Sequence, residues 1–206
     1  MKILIISATE HEVKNLLFDF SKEIDFLITG IGSPKTIFKL SQLLINNQYD
    51  LILNLGIAGS FSNKYKLGDI VQVSSNCFAD LGFETANSFI PLDNTEFSEK
   101  KNNQFTNTFT LNFLKQIPSV KSITVNSTSG SKATIEQRLL NFNADIESME
   151  GAAVAYVCSE FNLPFIEIRS ISNYIEERNK DKWNVPLAIT NLNHFINLLL
   201  NHLLHK

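Results

Sequence analysis

The chain of 206 residues is 44% hydrophobic and 19% charged, enough for a single globular domain to bury most of its apolar surface, which excludes a disordered or collagen-like chain. Its 18 basic and 21 acidic side chains give a net charge of −3, with no basic cluster longer than Lys100-Lys101 or Lys180/Lys182; this excludes a nucleic-acid partner held through phosphates. Cys77 and Cys158 stand in no metal-ligand spacing, so a structural zinc is not expected, and a reduced compartment is the simpler reading.

In chain order, Ile3–Ile6 reads as a buried first strand, closed by the polar run Thr9-Glu10-His11-Glu12 too early for a secretory signal. Further short apolar runs follow at Ile24–Ile28, Leu51–Leu55, Ile70–Val73, Ile123–Val125 and Phe165–Ile171, several β-branched and bounded by Gly, Asn, Asp or Pro, the pattern of strands buried on both faces. Helical spacing appears between them at Lys35–Ile45, Ile135–Phe142 and Gly151–Phe161. The alternation predicts an α/β single domain, residues 1–206, with a central twisted, mixed but largely parallel sheet flanked by helices. The stretch Thr85–Asn107 is polar and Asn-rich and reads as a flap or insertion. Phe195–Leu204 is broken by Asn197, Asn201 and His202; a bilayer needs about 20 apolar residues, so this is an amphipathic closing helix and no membrane partner is expected.

Ligands of such sheets bind beyond the carboxyl ends of the strands, so the residues after each apolar run carry the functional information. Glu12 can be read two ways: as the fourth residue of a capping box begun by Thr9, or as a general base at the sheet edge. Gly30-Ile31-Gly32 and Gly56-Ile57-Ala58-Gly59 read as glycine-bearing loops, but no full GxGxxG and no GK[ST] occurs, which disfavours a dinucleotide or a phosphate-loop nucleotide. Glu150 either stabilises the positive end of the following helix or accepts hydrogen bonds from a ribose diol. Arg169 ends a core strand, where a guanidinium needs a carboxylate or an anion: either a local pair with Glu167 or another acid, or a role in a site. Arg169 and Asn173 share a face if that strand runs straight. Trp183 reads as a loop anchor before a stacking face for a ring.

Taken together, MKILIISATEHEV, TGIG, NLGIAGSF, GDIV, MEGAAVAYVC and EIRSISN resemble the purine nucleoside phosphorylase/nucleosidase superfamily from Met1 to about Asn173, and within its short hydrolytic branch most resemble the futalosine hydrolase family. The stretch Asn173–Ala188, with Trp183, is similar to that family's C-terminal pattern. The related methylthioadenosine/S-adenosylhomocysteine nucleosidases carry an Asp where this chain has Asn173, and a small hydroxyl residue where it has Ile57. An amide NH₂ serves the two acceptors of a 6-oxopurine edge, whereas a protonated carboxyl serves the donor and acceptor of adenine.

The resemblance implies a nucleosidase that hydrolyses futalosine to hypoxanthine and dehypoxanthinyl futalosine in menaquinone biosynthesis; the alternatives are a methylthioadenosine/S-adenosylhomocysteine nucleosidase and a 6-oxopurine nucleoside phosphorylase. It implies catalytic roles for Glu12 on the attacking water, Arg169 behind it and Asn173 on the leaving base. It implies substrate contacts from Glu150 and Met149 on the sugar, and from Ile57, Ala58, Gly59, Thr128, Ser129 and Ser172 around the nucleoside. It also implies a small-molecule nucleoside as partner, no metal and no organic cofactor, a cytoplasmic location, and a homo-oligomer, a dimer or dimer-based. Phosphorylases of this superfamily grip phosphate with arginines near the N-terminus and after the third strand; here no arginine precedes Arg138, which favours hydrolysis. A Lys or Thr in Thr85–Asn107 is the expected partner of the substrate carboxylate.

Overall fold

A computed structural model describes residues 1–16, 23–86, 88–98, 103–107, 109 and 111–204. The Lys100-Lys101 pair lies outside the described residues. The first strand, β1 (Ile3–Ser7), is buried along its whole length and leads through the short helix α1 (Glu10–Val13) to β2 (Ile24–Ile28), α2 (Ser33–Asn46) and β3 (Leu51–Ser60). Next come β4 (Ile70–Phe78), the hairpin strands β5 (Gly82–Glu84) and β6 (Phe89–Pro91), β7 (Gln104–Thr106), β8 (Ser119–Thr124) and α3 (Lys132–Phe142). The chain ends with β9 (Ile146–Ser148), α4 (Gly151–Glu160), β10 (Phe165–Tyr174) and α5 (Val185–Leu204).

Alternation along the central strands explains the layers. Ile3, Ile5, Leu51, Leu53, Leu55, Ile166 and Ile168 face Leu192, Ile196 and Leu199 of α5. Leu4, Ile6 and Ile52 face the other way, onto Leu40 and Leu44 of α2 and Val154, Val157 and Cys158 of α4. Successive strand side chains point to opposite faces, so a continuous apolar run requires helices on both sides. The small residues of α4, Gly151, Ala152, Ala153 and Ala155, are all buried.

The sheet is mixed and largely parallel, as its sequence implies: β1 pairs parallel with β2 and β3, and β3 pairs parallel with β10. A feature that periodicity does not show is closure. β3, β10, β4, β8 and β9 are hydrogen-bonded in a ring, each to the next. Closure pairs the ring strands on both sides, while β2, paired only with β1, and β7, paired only with β4, remain as edges. It also brings β9 against β3, which is decisive for the site.

Two expectations are corrected. Gly56 to Ser60 form the second half of β3 and not a loop, because the backbone is extended there and the glycines are needed for close side-chain approach. The closing helix is longer than Phe195–Leu204 because Asn191, Asn193 and His194 interrupt the apolar pattern without interrupting the helix. Gly30 and Gly32 do turn the chain with φ of +83° and +97°, a left-handed region that favours glycine. Within Thr85–Asn107, part of the chain is stitched into sheet: β6 pairs with β5, and β7 pairs with β4.

Candidate active site

The carboxyl ends of β1, β3, β9 and β10 open onto one cavity of about 560 Å³. Of the eleven residues expected at a site, ten line it: Glu12, Ile57, Ala58, Gly59, Thr128, Ser129, Met149, Glu150, Ser172 and Asn173. Arg169 does not; it is 2% exposed and lies behind the wall. Among the described residues, none of Thr85–Asn107 lines the cavity, and Arg178 is the only lysine or arginine that does.

The two readings of Glu12 coexist in its geometry. Its Oε2 accepts from the Thr9 N–H (3.0 Å), the Thr9 hydroxyl (2.8 Å) and the Ser7 hydroxyl (3.0 Å), which is the carboxylate half of a capping box. Its Oε1 accepts from the Ile57 N–H at 3.1 Å and keeps lone-pair capacity for a water. Ile57 thus contributes its backbone N–H to the site. From the far side of the molecule, Asn193 Nδ2 of α5 donates to the Glu12 carbonyl at 2.7 Å.

A window of bare backbone at Gly56 lies between Arg169 and this carboxylate. A Cβ on Gly56 would collide with Arg169 Nη1 and stand 2.9 Å from Glu12 Oε1, so only glycine lets the guanidinium approach. Arg169 Nε donates to Glu167 Oε1 at 2.8 Å, the local pair weighed from sequence. Glu167 Oε2 accepts from Asn76 Nδ2 (3.1 Å), Asn76 Oδ1 from the Thr124 hydroxyl (3.0 Å), and Thr124 Oγ1 from the Ala152 N–H (2.7 Å). A buried polar chain therefore ties Arg169 to the start of α4. Burial opposes the charge of Arg169, but the carboxylates of Glu167, Glu150 and Glu12 outweigh it and push its pKa above the usual arginine value, so it stays cationic.

Glu150 is the N-cap residue of α4 and lies only 7% exposed on the cavity wall. Its Oε1 accepts from the Gly32 N–H at 2.9 Å, which gives the positive-φ turn at Gly30–Gly32 a function: it aims a donor at this carboxylate. Burial raises the pKa of Glu150, with Arg169 and the Gly32 N–H acting in the opposite sense.

Arg169 and Asn173 do not follow from a straight strand, because the register of β10 shifts between Ile171 and Asn173. The bulge sends both Ser172 and Asn173 to the cavity, a usual effect of a bulge near a site. The Ser172 hydroxyl lies 3.2 Å from the Ala58 carbonyl and 2.8 Å from Asn173 Oδ1, while Asn173 Nδ2 donates to the Tyr174 carbonyl at 3.1 Å. With Oδ1 held by Ser172, the amide presents its NH₂ as the donor. Trp183 lines the cavity and carries the Arg178 guanidinium at 5.5 Å from its ring centre, and Arg178 Nη1 donates to Thr128 Oγ1 at 3.1 Å.

One cluster was not anticipated. Glu147 lines the cavity, accepting at Oε1 from the Ser129 N–H (2.8 Å) and at Oε2 from the Ser129 hydroxyl (2.7 Å) and Arg138 Nη1 (2.8 Å). Arg138 Nη2 also donates to the Ser127 carbonyl at 2.8 Å. The signal in the sequence was an acid between Ile146 and Ser148 in the stretch after α3, with its arginine nine positions earlier on a helix. Among the described residues, no group of three or more His, Cys, Asp or Glu side chains could hold a metal ion, and no helix is long and apolar enough to cross a membrane.

Residues 21–201 match the family model described as Phosphorylase superfamily. A futalosine hydrolase of Streptomyces coelicolor is 26% identical over 82% of this chain and 74% of its own. A 5'-methylthioadenosine/S-adenosylhomocysteine nucleosidase of Buchnera aphidicola is 28% identical over 99% of both chains. The native structure of futalosine hydrolase from Helicobacter pylori shares the fold with a TM-score of 0.83 at 20% identity, over 98% of both chains. The chain belongs to the phosphorylase superfamily.

Proposed function

We propose that the protein is an N-glycosidase that hydrolyses futalosine to hypoxanthine and dehypoxanthinyl futalosine, a step of menaquinone biosynthesis. Nucleosidase activity is the common ground of its named relatives. The observation that carries the choice of futalosine is the amide at Asn173, fixed by Ser172 as a donor toward the cavity, opposite the two carboxylates Glu12 and Glu150.

In this reading Glu12 Oε1 takes a proton from water as its oxygen bonds to the anomeric carbon, a general-base contribution of about 10²–10⁴-fold. The glycosidic C–N bond breaks through an oxocarbenium-like state, whose positive charge Glu150 stabilises while it holds the ribose hydroxyls. Met149 packs against the sugar. The electron pair of the broken bond stays on the base, where the Asn173 NH₂ meets the charge until solvent supplies a proton. Arg169 balances the acids from behind the wall. Hydrolysis over phosphorolysis is supported by the absence of any arginine before Arg138 and by a single cationic lining residue, Arg178. The reading includes a cytoplasmic location, consistent with two buried free thiols. It also includes a homo-oligomer, dimer or dimer-based, supported by the exposed Phe38 and Ile45 seven residues apart on α2.

The test is purine release from futalosine, methylthioadenosine and inosine, each with and without phosphate. Phosphate-independent hypoxanthine from futalosine is the expected result; adenine from methylthioadenosine instead, or a requirement for phosphate, overturns it. Asn173→Asp is expected to shift cleavage away from 6-oxopurine nucleosides toward 6-amino ones.

A further inference from the structure

We infer that Glu147 is a specificity-determining residue that accepts a hydrogen bond from the N1–H of a 6-oxopurine; this rests on the reading above of the cavity as a purine nucleoside site. Sheet register is the starting point. Gly59 of β3 is paired on one side with Asn173 of β10 and on the other with Glu147 of β9. Paired residues on neighbouring strands project to the same face, and all three line the cavity. Gly59, between the amide and the carboxylate, has no side chain of its own and is covered by Ile175: a Cβ there would stand 2.8 Å from Ile175 Cγ1 and 3.1 Å from Asn173 Nδ2. A strip two strand spacings wide, about 10 Å, with Ile175 as an apolar surface on it, separates a donor from an acceptor.

A planar base bearing acceptors on one edge and a donor beyond them fits that strip. A 6-oxopurine turns its acceptor edge to the Asn173 N–H that the Tyr174 carbonyl leaves free and its N1–H to Glu147; adenine offers an acceptor at N1, which a carboxylate repels. Glu147 keeps the capacity. An ionised carboxylate takes about four hydrogen bonds, and its three partners put one on Oε1 and two on Oε2. Arg138 compensates the charge from outside the cavity lining, so the acid stands ready on a wall where it is 5% exposed.

The test uses free bases, so that it reads neither turnover nor the sugar and its tail. Equilibrium binding of 9-methylhypoxanthine, 9-methyladenine and unsubstituted purine is measured on the wild type and on Glu147→Gln. The wild type is expected to favour 9-methylhypoxanthine; Glu147→Gln is expected to lose about 10–100-fold for it while purine is unchanged and 9-methyladenine is held or improved, since an amide can donate to N1. Equal binding of the two 9-methyl bases by the wild type, or an equal change for all three ligands in the variant, overturns the inference. Because Glu147 also neutralises Arg138, a wild-type comparison stands beside the variant: 1,9-dimethylhypoxanthine, which lacks the N1 donor, is expected to bind about 10–100-fold more weakly than 9-methylhypoxanthine, and equal binding overturns the inference. A protein that prefers the 6-oxopurine yet leaves futalosine intact overturns the proposed substrate and keeps the role of Glu147. Cleavage of futalosine with a base-indifferent Glu147→Gln does the reverse.

Discussion

The molecule contains two buried guanidinium–carboxylate pairs of the same length, 2.8 Å, built in opposite ways. Arg169 and Glu167 stand two residues apart on one strand, 2% and 0% exposed, and the pair serves as backing for Glu12 through the Gly56 window. Arg138 and Glu147 come from a helix and a separate strand, and there the acid itself reaches the cavity while the arginine supports it. In the first pair the cation faces the chemistry; in the second the anion does. Burying an ion pair brings little net stability on its own account, so what both positions supply is a charge held in one place.

Removing the arginines separates the two most strongly. Arg169→Met strands Glu167 at 0% exposure and withdraws the cation that Glu12 and Glu150 share, a loss of about 3–5 kcal/mol. Arg138→Met leaves Glu147 with two bonds from Ser129 and is expected to cost less, about 1–3 kcal/mol. Urea unfolding of both variants checks this, and equal losses would break the distinction. Next in size is Glu12→Gln, for which turnover is expected to fall about 10²–10⁴-fold with little change in unfolding midpoint. Retained turnover would return Glu12 to a purely capping role.

Gly56→Ala places a methyl between Arg169 and Glu12 and is expected to cost about 1–3 kcal/mol, with turnover falling alongside. Gly59→Ala meets the movable end of Ile175, so thermal melting should record the smaller loss, while base binding weakens. The smallest effect concerns Glu150. Burial raises its folded pKa above the ordinary 4.5, so the native state binds the proton more tightly than the unfolded chain does. Its contribution is full below the ordinary value and declines as pH rises toward the raised one. Glu150→Gln removes that decline: at neutral pH the variant should melt at or slightly above the wild-type temperature, while losing turnover. A variant less stable than wild type at neutral pH would contradict the burial argument.

The contrast between the pairs also marks what a sequence discloses. Glu167 and Arg169 are two positions apart, so their pairing could be weighed beforehand. Arg138 and Glu147 meet only because β9 closes the ring against β3, a long-range event with no local periodicity. Strand cores and lining residues such as Glu12, Glu150 and Asn173 were legible because apolar runs and strand-end chemistry are local, whereas Thr128 and Ser129 followed from the family resemblance alone. The placement of Arg169 behind the wall was not, since it depends on a bulge in β10 and on a glycine in β3. Nor was the span of α5: Asn193 resembles a break in an apolar pattern until its amide is seen holding the Glu12 carbonyl.

That last bond joins residues 181 positions apart. Synthesis therefore makes Glu12 long before Asn193, and the backbone of Glu12 gains this anchor only after β10 has docked and α5 has closed over the sheet. In the proposed reading, the carboxylate assigned to the water is fixed in place only when α5 packs.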